Sequence, residues 1–297
     1  MSLKRSAKRL AVKSVSSQVG SSALVSREVL RALRLEYGPF DHKLPAAAPK
    51  AVSCISVDFD VTNPTRFHDN RKGTLALLEL ADRYRMPITW AICGRSAEDD
   101  MTSYSAILDA STTHELAVHT YSHIDATRCG AQEFRDDIVR CIQSLGLDSP
   151  RSFVFPWNRE AHFEVLRDLG FRAFRGKHRA IGTPVKEEGL WNIRPVYYVD
   201  QKSRGAGSLI GSYIDLCVNR SAVFHLWTHP WSIATGGRTE PMQKTLEQVF
   251  EHLARRREEG VLATLTLGRI ASILDLEEVP PAAPREAVNQ AAQRAAS

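Results

Sequence analysis

The sequence lacks any apolar run of about 18 residues, so it predicts no transmembrane helix. Its first residues contain no apolar signal core either, and export by the usual signal is not expected. Cysteine is scarce: the chain has 5, an odd number, without Cys-x-x-Cys spacing. Cys54 and Cys93 lie inside apolar runs, which favours reduced, buried thiols and a cytoplasmic location.

Positive charge is concentrated at the start of the chain. Residues 1–38 carry eight Lys or Arg against two Glu, a surplus that exceeds the net charge of +5 of the whole chain. The remainder is therefore close to neutral, and no nucleic-acid-binding surface is expected. We interpret residues 1–50 as a basic N-terminal extension and linker. Residues 1–38 are either an amphipathic helix in peripheral contact with an anionic inner membrane or a solvated arm. Residues 279–297, rich in Pro, Ala and Gln, are predicted to be disordered.

Residues 51–278 alternate between strand-like and helix-like patterns. Apolar strand-like runs occur near 52–59, 87–92, 115–119, 152–156, 171–174, 192–198, 222–228 and 261–266. Helical periodicity occurs over 73–85, 132–145, 159–169 and 239–257. Eight strands that alternate with helices predict a parallel α/β architecture that is closer to a barrel than to an open sheet. In such a barrel, functional groups lie where the strands end.

Two polar pairs occur at predicted strand ends. His119 and His123 are four residues apart, which would place both rings on one face of a helical turn. Asp58 and Asp60 would share one face of a strand, where two carboxylates repel each other unless a cation lies between them. Together the pairs predict a metal site, and zinc is the first choice for two imidazoles and a carboxylate. A chance or core pairing of the histidines and a capping role for one aspartate remain the alternatives.

Four segments in the same order resemble motifs of the polysaccharide deacetylase family (NodB homology domain, carbohydrate esterase family 4). The resemblance covers roughly residues 50–275. The four segments are 56–60 (Ser-Val-Asp-Phe-Asp), 119–123 (His-Thr-Tyr-Ser-His), 153–158 (Phe-Val-Phe-Pro-Trp-Asn) and 224–231 (Phe-His-Leu-Trp-Thr-His-Pro-Trp). The resemblance implies an irregular (β/α) barrel of seven to eight parallel strands. It also implies a metal-dependent hydrolase that removes the acetyl group from an N-acetylated sugar, a glycolipid-linked intermediate or a small glycoside.

The resemblance assigns a role to each matched position. Asp58 would be the base that activates water, and His229 the acid that protonates the leaving amine. Asp60, His119 and His123 would hold a divalent metal. Pro156, Trp157, Asn158 and Trp231 would line the substrate groove, with the Trp157 N–H as an oxyanion donor. Weaker candidates are Arg175, His225 and His68, and a buried, hydrogen-bonded role is the alternative for His225.

The chain also departs from the family pattern. Val154 stands where the third motif commonly has an arginine, and Arg151, Arg159 or Arg175 could replace it. The Asp-Trp pair that orients the acid histidine has no counterpart, and the adjacent Asp-Asp has become Asp-x-Asp. These departures leave two further readings open: an amidase acting on a small non-sugar amide, and a degenerate barrel that binds glycans without hydrolysing them. Residues 61–70 are predicted to form a loop at the rim of the pocket.

Overall fold

The computed structural model describes residues 49–61, 63–177, 184–235 and 239–278. The strands are β1 (Val52–Phe59), β2 (Thr89–Ile92), β3 (Glu115–Val118), β4 (Ser152–Val154), β5 (Ala173–Arg175), β6 (Val185–Glu187), β7 (Leu190–Asn192), β8 (Tyr197–Val199), β9 (Val223–Thr228) and β10 (Ala263–Thr264). The helices are α1 (Phe67–Tyr84), α2 (Gly94–Asp99), α3 (Met101–Leu108), α4 (Ala131–Ser144), α5 (Phe163–Asp168), α6 (Gly207–Arg220), α7 (Pro230–Ala234), α8 (Thr239–Glu258) and α9 (Leu267–Glu278).

The strands form one curled sheet in the order β6-β7-β5-β4-β3-β2-β1-β9-β8, and β10 pairs with the first residues of β1. Among the described residues, only the β6–β7 pair is antiparallel. All eight residues of β1 are buried, as expected for a strand that is covered on both faces. The expected irregular (β/α) barrel is confirmed, with parallel strands that curl around a common interior.

The interior face of β1 changes character along the strand. Val52 and Cys54 join a small apolar cluster that α9 closes with Leu267 and Ile270. Further along the same face come Ser56 and Asp58, because side chains two residues apart share one side of a strand. The interior near the amino ends of the strands is therefore an apolar core. The polar groups of the interior lie at the carboxyl ends of the strands.

Three predicted boundaries were wrong. The run 192–198 is two strands: β7 pairs with β5 and β8 pairs with β9, with Pro195, which cannot donate to a ladder, between them. The predicted loop 61–70 is helical from Phe67 onward. The helix predicted over 159–169 begins only at Phe163, because His162 has a left-handed backbone with φ 57°.

Other predictions concern the ends of the chain and its thiols. The extension over residues 1–48 and the tail over residues 279–297 lie outside the described residues. All five cysteines are free, and four of them are buried. Within the described part of the chain, no helix is long and apolar enough to cross a membrane.

Candidate active site

A cavity of about 640 Å³ opens where the central parallel strands end. Asp58 and Asp60 reach it from the end of β1, His119 from the end of β3 and His229 from the end of β9. The structure therefore brings these four side chains together at one edge of the sheet. The lining consists of Asp58, Asp60, Val61, Asn63, Arg66, His119, His123, Trp157, Asn158, Trp227, His229 and Trp231.

Asp60, His119 and His123 form a cluster with the geometry of a metal site. One possible ligand atom from each lies within 4.8 Å of the others. The His119 Nδ1 lies 2.7 Å from the carbonyl oxygen of Val154 and can donate to it, which leaves the Nε2 lone pair free. That Nε2 is buried and has no hydrogen-bond partner in the described part of the chain. Burial lowers the pKa of His119 to about 4, so the ring is neutral. A buried neutral imidazole with an unused lone pair beside a carboxylate fits a divalent cation.

The histidine pair is brought together by a loop and not by the predicted helical turn. Thr120 and His123 have left-handed backbones, with φ 61° and 60°. Asp137 on α4 holds the loop by accepting hydrogen bonds from the backbone N–H groups of Tyr121 (2.6 Å) and Ser122 (3.1 Å). The His119 and His123 ring centroids lie 4.9 Å apart as a result. The side chain of Tyr121 points away from the cavity, and its hydroxyl donates a hydrogen bond to Glu98.

Asp58 forms a buried, bidentate ion pair with Arg175. The Arg175 side chain is 0% exposed and that of Asp58 4%. The two N–H···O distances are 2.7 and 2.5 Å. Burial alone would raise the pKa of Asp58, but the guanidinium outweighs it and holds the pKa below its usual value, so the carboxylate is charged.

Arg175 takes the place of the arginine that the third motif lacks. Val154 on β4 and Arg175 on β5 are register partners, so the guanidinium enters the barrel from the neighbouring strand. The other two candidates lie elsewhere: Arg151 is exposed and bonds to Ser272, and Arg159 pairs with Asp125. Arg175 was only a weak candidate from the sequence, since strand register is not visible in a single chain.

A chain of hydrogen bonds supports Arg175 from behind. Arg175 donates to the Ser56 hydroxyl at 3.0 Å, and this hydroxyl lies 2.8 Å from His225 Nε2. The opposite ring nitrogen of His225 lies 2.8 Å from the carbonyl oxygen of Ile193. His225 is fully buried and does not line the cavity. This position agrees with the buried, hydrogen-bonded role, the alternative to a site role for His225.

His229 faces both carboxylates and is oriented by a tyrosine. Its Nε2 lies 3.4 Å from the nearer oxygen of Asp60 and 3.9 Å from that of Asp58. Burial lowers the pKa of His229, but the carboxylates outweigh it and raise that pKa above its usual value. Tyr198 Oη lies 3.1 Å from His229 Nδ1, where it can replace the missing orienting pair. Burial raises the pKa of Tyr198 to about 12, so the phenol is neutral.

The third motif forms a tight turn at the edge of the cavity. Trp157 and Asn158 have left-handed backbones, with φ 58° and 52°, and the Trp157 side chain is 66% exposed. The turn uses the N–H groups of Asn158 and Arg159, whereas the Trp157 N–H has no hydrogen-bond partner among the described residues. Pro156 is buried beneath the turn and is not among the residues that line the cavity, in contrast to Trp157 and Asn158.

The opposite wall carries Trp231 and Arg66. The Trp231 Nε1 donates to Asp60 at 3.3 Å, and the Arg66 guanidinium carbon lies 4.4 Å from the centroid of the same indole. His68, also predicted for this region, lies in a separate groove with Arg71 and Asp100. The reason is that α1 already begins at Phe67, so His68 follows the helix and not the rim of the cavity.

Comparison with known proteins agrees with this geometry. Residues 48–174 match the family model for polysaccharide deacetylase. A peptidoglycan deacetylase of Helicobacter pylori is 33% identical over 105 residues, which are 34% of this chain and 35% of that protein. The peptidoglycan deacetylase-like protein FGM2 of Gibberella zeae is 31% identical over 151 residues, 43% of this chain and 44% of that protein. This chain thus spans less than half the length of these curated relatives.

A solved structure matches over a longer range. The crystal structure of a candidate polysaccharide deacetylase from Mycobacterium smegmatis superposes with a TM-score of 0.63 at 16% identity, covering 81% of this chain and 95% of that chain. At this identity the similarity establishes the fold. Over residues 48–174 the chain is similar to the polysaccharide deacetylases, whose motifs its own segments resemble.

Proposed function

We propose that this chain is a metal-dependent hydrolase that removes the acetyl group from N-acetylated sugar units of a polysaccharide. The proposal depends on one observation: a possible metal site, a charged carboxylate and a histidine that can act as a general acid all line one cavity. Hydrolysis of an amide needs these three functions: an activated water, stabilisation of the developing oxyanion and a proton for the leaving nitrogen. The match of residues 48–174 to the polysaccharide deacetylase model supports the same reaction class.

Asp60, His119 and His123 would hold the cation, and zinc suits two imidazoles and one carboxylate. When bound, such an ion supplies positive charge that polarises the acetyl carbonyl and makes a water molecule more acidic. Asp58 accepts the proton of the attacking water. Its pair with Arg175 supports this role, because it keeps the carboxylate charged and fixes its orientation.

His229 donates the proton that converts the leaving nitrogen into an amine. Its pKa is raised by the two carboxylates, which favours the protonated form that an acid requires. The Trp157 N–H, which has no partner in the described part of the chain, would donate to the oxyanion. The C–N bond breaks, and acetate and a free amine leave.

The walls of the cavity suit a sugar. Trp157 is exposed at the rim, where its indole ring can stack on the apolar face of a pyranose, and Trp231 lies on the wall. A polysaccharide unit is the substrate class that we propose. A glycolipid-linked intermediate, a small glycoside, membrane contact through residues 1–38 and a cytoplasmic location stay predictions from the sequence.

The test is release of acetate from N-acetylglucosamine oligosaccharides, alongside a panel of small linear and cyclic non-sugar amides. We expect wild-type protein with zinc to release acetate from the oligosaccharides. We expect the variants Asp58→Asn and His229→Ala to lose about 100-fold or more in kcat, the range for a general acid or base. His68→Ala is the matched control and should keep wild-type activity, because His68 lies outside the cavity. Hydrolysis of the small amides alone would show that the substrate is a non-sugar amide. Binding of oligosaccharide without any release of acetate would refute hydrolysis.

A further inference from the structure

Arg66 is a cation on the cavity wall. It is exposed, ends the short turn Pro64–Arg66 and lines the cavity. Within the described ranges of the chain, no carboxylate comes within ion-pair distance of it. The two nearby cavity carboxylates have other partners: Asp58 binds Arg175, and Asp60 faces His229. The positive charge of Arg66 is therefore available to a ligand.

The guanidinium of Arg66 is held close to the proposed reaction centre. It lies over the Trp231 ring at 4.4 Å, and the Nε1 of this ring donates to Asp60 at 3.3 Å. One indole thus separates the cation from a proposed metal ligand. Stacking restricts the guanidinium while its N–H groups, which lie in its own plane, remain able to bind two oxygens of an oxyanion.

Asn63 provides a second donor on the same wall. Its Oδ1 accepts hydrogen bonds from the Thr65 N–H at 3.1 Å and the Thr65 hydroxyl at 2.9 Å. Because the oxygen is used in this way, the Nδ2 amino group remains as a donor. Asn63 and Arg66 both line the cavity, so both can donate hydrogen bonds to one bound group.

We propose that Arg66 and Asn63 form a subsite for an anionic substituent, a carboxylate or a phosphate monoester, carried by the acetylated sugar or by its neighbour. The proposal rests on the proposed function for the sugar itself. It adds a specificity element: the substrate bears a negative charge on the Trp231 side of the reacting acetamide. A planar, bidentate cation is the group that favours carboxylate and phosphate over neutral hydroxyls.

The experiment compares kcat/KM on three substrates: a neutral N-acetylglucosamine oligosaccharide, an oligosaccharide with lactyl-ether carboxylates and an N-acetylglucosamine phosphate. We expect wild type to prefer at least one anionic substrate, and Arg66→Gln to lose about tenfold on it, or about 1.4 kcal/mol, while the neutral substrate is unaffected. The anionic substrate that wild type prefers shows whether the subsite binds a carboxylate or a phosphate. Arg71→Gln is the matched control, since Arg71 is half-exposed, pairs with Asp100 and lies outside the cavity.

Two results would overturn the subsite: no preference of wild type for an anionic substrate, or an equal loss on neutral and anionic substrates in Arg66→Gln. If no substrate releases acetate, the proposed function fails, and the subsite is tested by calorimetric binding of the same three sugars. Tighter binding of an anionic sugar by wild type, weakened about tenfold in Arg66→Gln, would support the subsite on its own. Unchanged binding in Arg66→Gln would refute it.

Discussion

Replacing Arg175 by methionine should destabilise the fold by a large and pH-dependent amount. Arg175 and Asp58 are 0% and 4% exposed and are joined by two hydrogen bonds. Removing one partner of a buried pair leaves the other charge uncompensated, at a cost of about 3–5 kcal/mol. The Ser56 hydroxyl loses a donor as well, for about 1 kcal/mol more.

The sign of the pH dependence follows from Asp58. In wild type its folded pKa is depressed, so its contribution to stability is present above the unfolded pKa and is lost as pH falls. Without the guanidinium, burial dominates and the folded pKa rises above the unfolded value. The variant then binds a proton on folding, and its deficit relative to wild type should shrink as pH falls from 7 toward 4.

The assay is urea unfolding of chelator-treated protein at several pH values. Arg159→Met is the matched control, because Arg159 is 44% exposed in its pair with Asp125, and an exposed pair contributes about 0–1 kcal/mol. The double variant Asp58→Asn/Arg175→Met should recover part of the loss, since no unpaired charge remains. If Arg175→Met were no less stable than Arg159→Met, the buried pair would not be a stabilising feature of the site.

Three further predictions concern the surroundings of the site and the periphery. Tyr198→Phe removes one hydrogen bond that orients His229. We expect kcat on acetylated oligosaccharide to fall about tenfold and the free energy of unfolding to change by no more than about 1 kcal/mol. An unchanged kcat would contradict this role. Gly73→Ala should cost about 2 kcal/mol or more in urea unfolding, since the added Cβ would lie 1.8 Å from the Pro230 carbonyl oxygen where α1 crosses α7; wild-type stability would show that the two helices do not meet in this way. Burial alone would raise the pKa of Asp215, but hydrogen bonds from basic groups on α8 lower it. Asp215→Asn should therefore lower the free energy of unfolding by about 1 kcal/mol at pH 7 and by progressively less below about pH 4. A pH-independent difference between the variant and wild type would refute this assignment.

Local patterns predicted the groups at the strand ends. Asp58 and His119 each follow a run of apolar residues, and such runs are visible in a single chain. Parallel strands place their carboxyl ends at one edge, so the meeting of these side chains follows from the α/β alternation. The fold class and the cavity could therefore be predicted without coordinates.

The residues that orient the reactive groups depend on register between strands, which local patterns do not contain. Arg175 replaces the third-motif arginine because it is the register partner of Val154. Tyr198 reaches His229 because β8 pairs with β9, where it lies opposite Trp227. Tyr198 lies within the run 192–198, and the prediction of that run as a single strand did not reveal that Tyr198 pairs with β9.

The central claim is that Asp60, His119 and His123 bind one divalent cation. Calorimetric titration of chelator-stripped protein with zinc tests it most directly, because it needs no substrate. We predict one equivalent of zinc per chain for wild type and for His68→Ala, and no binding at that site for His119→Ala or His123→Ala. An unchanged stoichiometry and affinity in His119→Ala would contradict the account.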